Sequence, residues 1–333
     1  MADFLHLQGY DKLPSSLRHA VLAIGNFDGV HRGHQAILQK TLDLARVKNK
    51  PALVLTFEPH PRSFFHPDSP VDRLTQATEK ADIFKILGFN GVIEQPFDAH
   101  FSAFSADEFI HVILKQAFDV SAVVTGENFY FGCKKNGNTH FLRQMGEEHG
   151  FEVLQIAAVY SSQDSDEQMI SSSFIRQLLS QGEVEKAAQL LGYHYRIRSK
   201  IIHGEKLGRL LGFPTANQVL PHQTSLAHGV YAVRLRRANG LLYNGVASFG
   251  CRPTVVMDGS PLLETYVFDF DEDLYDENCT ISFLQFLRKQ EKFDGLEPLI
   301  QQMRCDETAA RDVMVTAQPL SPLDKLLTFK NTF

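Results

Sequence analysis

A chain of 333 residues, 44% hydrophobic and 22% charged, has the composition of a globular protein and the length for two hydrophobic cores. Its 39 acidic against 33 basic residues leave a formal charge of −6. That excludes a general nucleic-acid binder, which needs a basic stripe to displace phosphate counterions. No apolar run approaches the ~20 residues of a bilayer span, so membrane is not an expected partner either. MADFLHLQGYDKLP lacks a basic segment followed by an apolar core, and no signal peptide is expected. The four cysteines, Cys133, Cys251, Cys279 and Cys305, show no CxxC and read as reduced thiols of a cytoplasmic protein.

Along the first half, strand and helix alternate. Ala20–Ile24 is a short apolar run suited to a strand buried on both faces. Ile37, Leu38, Thr41, Leu42 and Ala45 then recur at helical spacing, predicting a helix after a glycine-rich turn. Further strands are predicted at 52–57, 91–93, 121–125 and 152–156, with helices at 78–87 and 106–118. This rhythm predicts a parallel sheet covered by helices on both faces, with ligands at the C-terminal strand ends.

The first such end reads GNFDGVHRGH, residues 25–34. His31 and His34 fall at i and i+3 in the first helical turn, beside unpaired N–H groups and a partial positive charge. Gly29 and Gly33 let a ligand approach the backbone. The arrangement suits a phosphate clamp. A zinc site would need a third ligand, and a bare HxxH pair is also found as two exposed polar side chains at a helix start. Later, in MISSSFIRQLL, a serine among Ser171, Ser172 and Ser173 caps a helix whose Arg176 is placed to reach an anion at that helix start. Between them, TGENFYFGCKKNGNTHFL is an aromatic, glycine-rich loop suited to stacking a flat ring.

From about Tyr195 the rhythm changes. Strands at 196–202, 229–235, 242–249, 263–270 and 280–287, closed by a helix at 296–317, predict an antiparallel barrel or sandwich with a capping helix. Two helical segments between Ser173 and Gly192 are expected to bridge the halves, with domains at 1–190 and 191–333. GEKLGRLLGFPTAN is not a P-loop. On its extended end Thr215 and Asn217 share a side, where a hydroxyl and an amide oxygen suit one Mg²⁺ beside nucleotide phosphates. In LLETYVFDF, alternation puts Glu264 in one row with Leu262, Tyr266, Phe268 and Phe270. A carboxylate there would be desolvated and suited to a general base.

GNFDGVHRGH resembles the GxFDGxHxGH motif of the HxGH nucleotidyltransferases, in the form carried by bacterial bifunctional riboflavin kinase/FAD synthetases. TFEPHP, ISSSFIR (with Ser173 in place of a threonine) and the loop at 126–137 resemble further motifs of that family; Asn128 and Tyr130 stand where Asp and Arg are common. GRLLGFPTAN, NGVASFGCRPT, the DLY segment at 273–275 and the closing FLRKQEKF resemble its riboflavin kinase half, although Asp276 replaces the usual glycine. Roughly residues 20–315 are covered.

The resemblance implies a Rossmann-like adenylyltransferase domain followed by a β-barrel kinase domain with a long C-terminal helix. It implies riboflavin, FMN and ATP as substrates, with Mg²⁺. His31, His34, Arg176 and Glu264 would be catalytic. Nucleotide and phosphate would meet Gly25, Asn26, Phe27, Asp28, Gly29, Gly33 and Ser171–Ser173, and in the second half Gly204, Gly208 and Arg209. Flavin would meet Asn128, Phe129 and Arg288. A kinase that has lost adenylyl transfer, a non-catalytic flavin-binding module, and a nucleotidyltransferase with another acceptor remain as rival readings.

Overall fold

The computed structural model describes residues 4–161, 168–204, 208, 211–221, 224–251 and 261–331. Contacts divide the chain into two compact units, Met1–Ser172 and Ser173–Phe333.

In the first unit the strands are β1 (Leu5–Gln8), β2 (Val21–Ile24), β3 (Ala52–Glu58), β4 (Gly91–Pro96) and β5 (Ala122–Gly126). They are followed by a short hairpin of β6 (Tyr130–Phe131) with β7 (Gly137–Asn138), and by β8 (Glu152–Ile156). The main sheet has the order β1-β4-β3-β2-β5-β8, and its pairs are all parallel. The predicted strands appear within a few residues. β1 is an addition: its LHLQ alternates half-buried and exposed residues and is too short to announce itself in the sequence. Every residue of β2 is buried, as a central parallel strand requires. The chain runs from β2 to β3 and β4 on one side, and to β5 and β8 on the other. The order therefore reverses between β2 and β5, where such sheets open a crevice at their C-terminal ends.

The second unit begins with helices Ser172–Ser180 and Val184–Leu191. Both helices make contacts with the barrel. The Ala227 N–H donates to the Leu179 carbonyl at 2.9 Å, and the Phe286 ring lies against Gly182. The barrel strands are β9 (Arg196–Lys200), β10 (Thr215–Val219), β11 (Gly229–Arg236), β12 (Leu242–Cys251), β13 (Pro261–Val267) and β14 (Asn278–Arg288), in the order β10-β13-β12-β11-β14-β9. All five pairings are antiparallel. The ends nearly meet: Ile202 bridges Asn217, and the buried Gln218 amide donates to the Ser199 and Cys279 carbonyls at 2.7 and 3.0 Å. The long helix Leu296–Thr316 lays Ala310 against Val230, Ala232 and Val246. Asp276 adopts φ +64°, a left-handed geometry that costs glycine least.

After the long helix, the chain is clamped to the barrel. The Asp324 carboxylate, fully buried, meets the His194 ring at 2.9 Å and accepts the His194 and Leu320 N–H groups. Arg236 donates to the carbonyls of Leu326, Leu327 and Lys330, capping the last helical turn. Burial alone would raise the Asp324 pKa, but the His194 ring and the backbone N–H groups hold it below its ordinary 3.8. A carboxyl depressed in the fold stabilises it above the unfolded pKa, and that contribution is lost as pH falls through the folded value. Asp324→Asn is expected to cost about 3 kcal/mol at neutral pH, since it leaves a buried imidazole without its anion. Urea unfolding should show the penalty shrinking toward low pH; a pH-independent penalty would refute the ionic role.

Candidate active sites

The turn after β2 is built on backbone that side chains resist. Phe27 and Val30 have φ of +49° and +37°, and Gly29 lies at +81°. Below, the buried Asp28 carboxylate accepts the Leu74 and Thr75 N–H groups at 3.0 and 3.2 Å. The Gly29 N–H donates to the Thr75 hydroxyl at 3.0 Å. Ser172 Oγ donates to the Asp28 carbonyl at 2.9 Å, tying the ISSS segment to this turn. The Asn26 carbonyl accepts from the Thr56 hydroxyl at 3.1 Å and from Lys80 Nζ at 3.2 Å.

His31 caps the helix Arg32–Lys48, its Nδ1 accepting the His34 N–H at 3.3 Å. The two imidazoles stack with centroids 3.6 Å apart, and the Phe27 ring abuts His34 edge-on at 5.4 Å. His34 is pushed well below 6.5, by burial first and then by His31 and Lys80. It is therefore neutral at pH 7, and its buried Nδ1 has no hydrogen-bond partner among the described residues.

Beside this turn a cavity of about 840 Å³ opens at the switch point. Gly25 and Asn26 from the end of β2 face Asn128, Phe129 and Cys133 from the loop after β5, with His60 and Arg62 from the TFEPHP segment. Its apolar wall includes Phe57, Phe97, Phe101, Phe104 and Phe109, and Phe129 stacks on Phe131 at 5.4 Å. Three of the four segments singled out in the first half thus line one cavity, and the ISSSFIR segment is not part of its lining. Ser173 and Arg176 lie in the helix Ser172–Ser180, the serine exposed and the arginine half-buried. The phenylalanine wall went unread because most of it lies outside the motifs.

In the barrel, register assembles a second row. Asn217 on β10 pairs with Glu264 on β13, which pairs with Ser248 on β12, then Val230 on β11 and Arg288 on β14. Along its strand half-buried Glu264 shares a face with buried Leu262 and with Tyr266 and Phe268, as expected, whereas across the strands it sits between the polar Asn217 and Ser248. The Asn217 amide N–H donates to the Thr215 carbonyl at 3.1 Å, which leaves its oxygen for another partner. Gly204 is packed so closely on that amide that a Cβ would come within 2.6 Å of it. Gly208 accepts the Leu211 and Phe213 N–H groups at 3.1 and 2.8 Å. Arg209 lies outside the described residues. Arg288 is engaged by Asp306 of the long helix through two 2.7 Å hydrogen bonds, which raise its pKa. Among the described residues no group of three or more His, Cys, Asp or Glu is placed to hold a metal. The Thr215 hydroxyl and Asn217 oxygen nevertheless fit Mg²⁺, which takes few protein ligands when phosphates supply others.

A Rossmann-like unit with a histidine pair at its switch point, joined to a six-stranded barrel with its own polar row, defines a two-domain nucleotide-dependent transferase. The family model for FAD synthetase matches residues 13–174, and that for riboflavin kinase residues 191–314. A bifunctional riboflavin kinase/FMN adenylyltransferase from Pseudomonas fluorescens is 38% identical over 305 residues, 92% of this chain and 96% of that protein. Its namesake from Escherichia coli K12 is 36% identical over 299 residues, 90% and 94% of the two chains. A crystal structure described as a macrolide-efflux protein from Streptococcus pneumoniae matches with a TM-score of 0.81 at 29% identity, over 93% of this chain and 99% of that one. The chain belongs to the bifunctional riboflavin kinase/FMN adenylyltransferase family. No helix among the described residues is long and apolar enough to cross a membrane.

A folded chain that keeps His34 neutral rejects a proton that the unfolded chain accepts below about 6.5. Acidification through that range should weaken the first unit. In NMR titrations the His34 ring signals are expected to stay constant from about pH 8 to pH 6; a midpoint near 6.5 would contradict the buried, neutral imidazole.

Proposed function

We propose that the chain makes FMN from riboflavin and ATP in its barrel half, and FAD from FMN and a second ATP in its first half, in the cytoplasm. The observation that carries the second reaction is the switch-point cavity. It joins an aromatic wall suited to an isoalloxazine ring with the start of the GNFDGVHRGH turn.

In adenylyl transfer an FMN phosphate oxygen attacks the α-phosphorus of ATP. The Pα–O bond to the β-phosphate breaks, and its electron pair leaves with pyrophosphate. The nucleophile is already anionic, so the site needs stabilisation of the leaving charge rather than a base. The N–H groups of His31 and His34, the helix start, Ser171–Ser173 and Arg176 are assigned that work. His34 enters as a neutral hydrogen-bond donor rather than as a cation. Asn128 and Phe129 orient the flavin, while Gly25–Gly29 and Gly33 shape the nucleotide subsite.

In the barrel the ribityl hydroxyl oxygen attacks the γ-phosphorus, ADP leaves, and the hydroxyl proton passes to Glu264. Thr215 and Asn217 are assigned Mg²⁺, which neutralises phosphate charge when bound. Gly204, Gly208 and Arg209 cover the nucleotide, and Arg288 borders the flavin side. The domains are placed at 1–190 and 191–333.

Glu264→Ala should lower FMN formation by about 10²–10⁴-fold yet still convert supplied FMN to FAD. The double variant His31→Ala/His34→Ala should accumulate FMN and make little FAD. Product chromatography reads both. FMN as the wild type's final product would remove the adenylyl reading, and no phosphorylated flavin at all would remove both.

A further inference from the structure

Beneath the GNFDG turn lies a charged group that neither reaction has used. Lys80, in the helix Ala77–Leu87, is only 1% exposed. Its Nζ donates to the Asn26 carbonyl at 3.2 Å and to Thr56 Oγ1 at 3.0 Å. Thr56 hands its own proton to the same carbonyl. These oxygens are neutral, and a neutral donor would satisfy them without burying a charge, which costs several kcal/mol when unmatched.

Three carboxylates pull on the ammonium from around it, but its hydrogen bonds go to the neutral oxygens. Asp28 accepts the Leu74 and Thr75 N–H groups, Glu58 holds Arg73 through bonds of 2.9 and 2.7 Å, and Glu94 lies 3.0 Å from His6 Nε2. Arg73 and His34 are the basic neighbours, and neither can neutralise an ammonium. A cation held on neutral oxygens, under a carbonyl whose residue lines the cavity, puts positive charge directly behind the wall that an anionic ligand would meet.

We propose that Lys80 is a positioning residue for adenylyl transfer, its ammonium fixing the Asn26 turn from below and offsetting negative charge as pyrophosphate departs. It keeps its proton throughout. The bond formed joins FMN oxygen to Pα, and the bond broken sends its electron pair to pyrophosphate. The proposal rests on the adenylyl-transfer reading above.

The charge is titratable. Burial, then Arg73, lowers the Lys80 pKa to about 8, against the pull of Asp28, Glu58 and Glu94. FAD formation should therefore decline as pH rises through about 8. That decline is not unfolding driven by Lys80: an amine whose pKa is depressed in the fold stabilises the fold further as it loses its proton.

The test uses the full chain with supplied FMN and ATP, scanned over about pH 6.5–9.5. Wild type should show the alkaline limb. Lys80→Arg should retain activity and lose the limb, because guanidinium stays charged. Lys80→Met should lower kcat at least about tenfold at neutral pH with KM for FMN nearly unchanged. Lys85→Met, an exposed lysine on the same helix, should behave as wild type, and riboflavin phosphorylation by each preparation checks its quality. A flat wild-type profile, a Lys80→Met variant with wild-type kcat, or a Lys80→Arg variant with an unmoved limb would each overturn the proposal. A wild type that makes no FAD would instead overturn the adenylyl reading on which it stands.

Discussion

The first unit depends on holding one turn in a conformation its own side chains oppose. Phe27 and Val30 sit at positive φ, which costs about 1–3 kcal/mol each. Both are almost wholly buried, and burial of such side chains returns about 1.5–3 kcal/mol each. Those two terms nearly cancel, so the hydrogen bonds beneath the turn, worth about 0.5–1.5 kcal/mol apiece net, decide whether it holds. They come from Asp28, Thr56, Thr75, Lys80 and Ser172, five side chains scattered through the unit. The same bonds aim Gly25 and Asn26 into the cavity and set the helix on which His31 and His34 stack.

The barrel reaches an ordered site by another route. There no strained turn is needed, because antiparallel register alone brings Asn217, Glu264 and Ser248 side by side. Interior packing by Leu263, Thr265 and Val267 fixes that register, since a slip of one residue would drive Glu264 into the core. A polar trio across three strands is thus secured by a buried row on the opposite face.

What the sequence made legible follows from how local each signal is. Continuous apolar runs located β2, β3 and β5, and period-two stretches located most of the barrel. The glycine-rich turn and the PTAN segment announced themselves as short strings. The supports of the turn did not, because Asp28 reaches Leu74 and Thr75 across 46 and 47 residues and Ser172 reaches back across 144. One support was nonetheless readable: Lys80 shares a helical face with Ile83 and Phe84, a lysine at the i, i+3, i+4 spacing of a buried stripe. For Glu264 the alternation was right about which residues share its face. It could not say that the neighbouring strands contribute polar residues there, since cross-strand partners are set by topology rather than by period.

The two sites divide the electrostatic problem according to what each nucleophile lacks. An alcohol has a proton to lose, and half-buried Glu264, flanked by an amide and a hydroxyl, is the carboxylate proposed to take it. A phosphate monoester lacks nothing as a nucleophile but must approach another phosphate, so its site has to soften repulsion without adding a mobile proton. A neutral His34 imidazole, with a lysine buried one layer below on neutral oxygens, suits that requirement. In the proposed reaction the donors would touch the ligand while the lysine charge stays behind the backbone, where water and counterions screen it least.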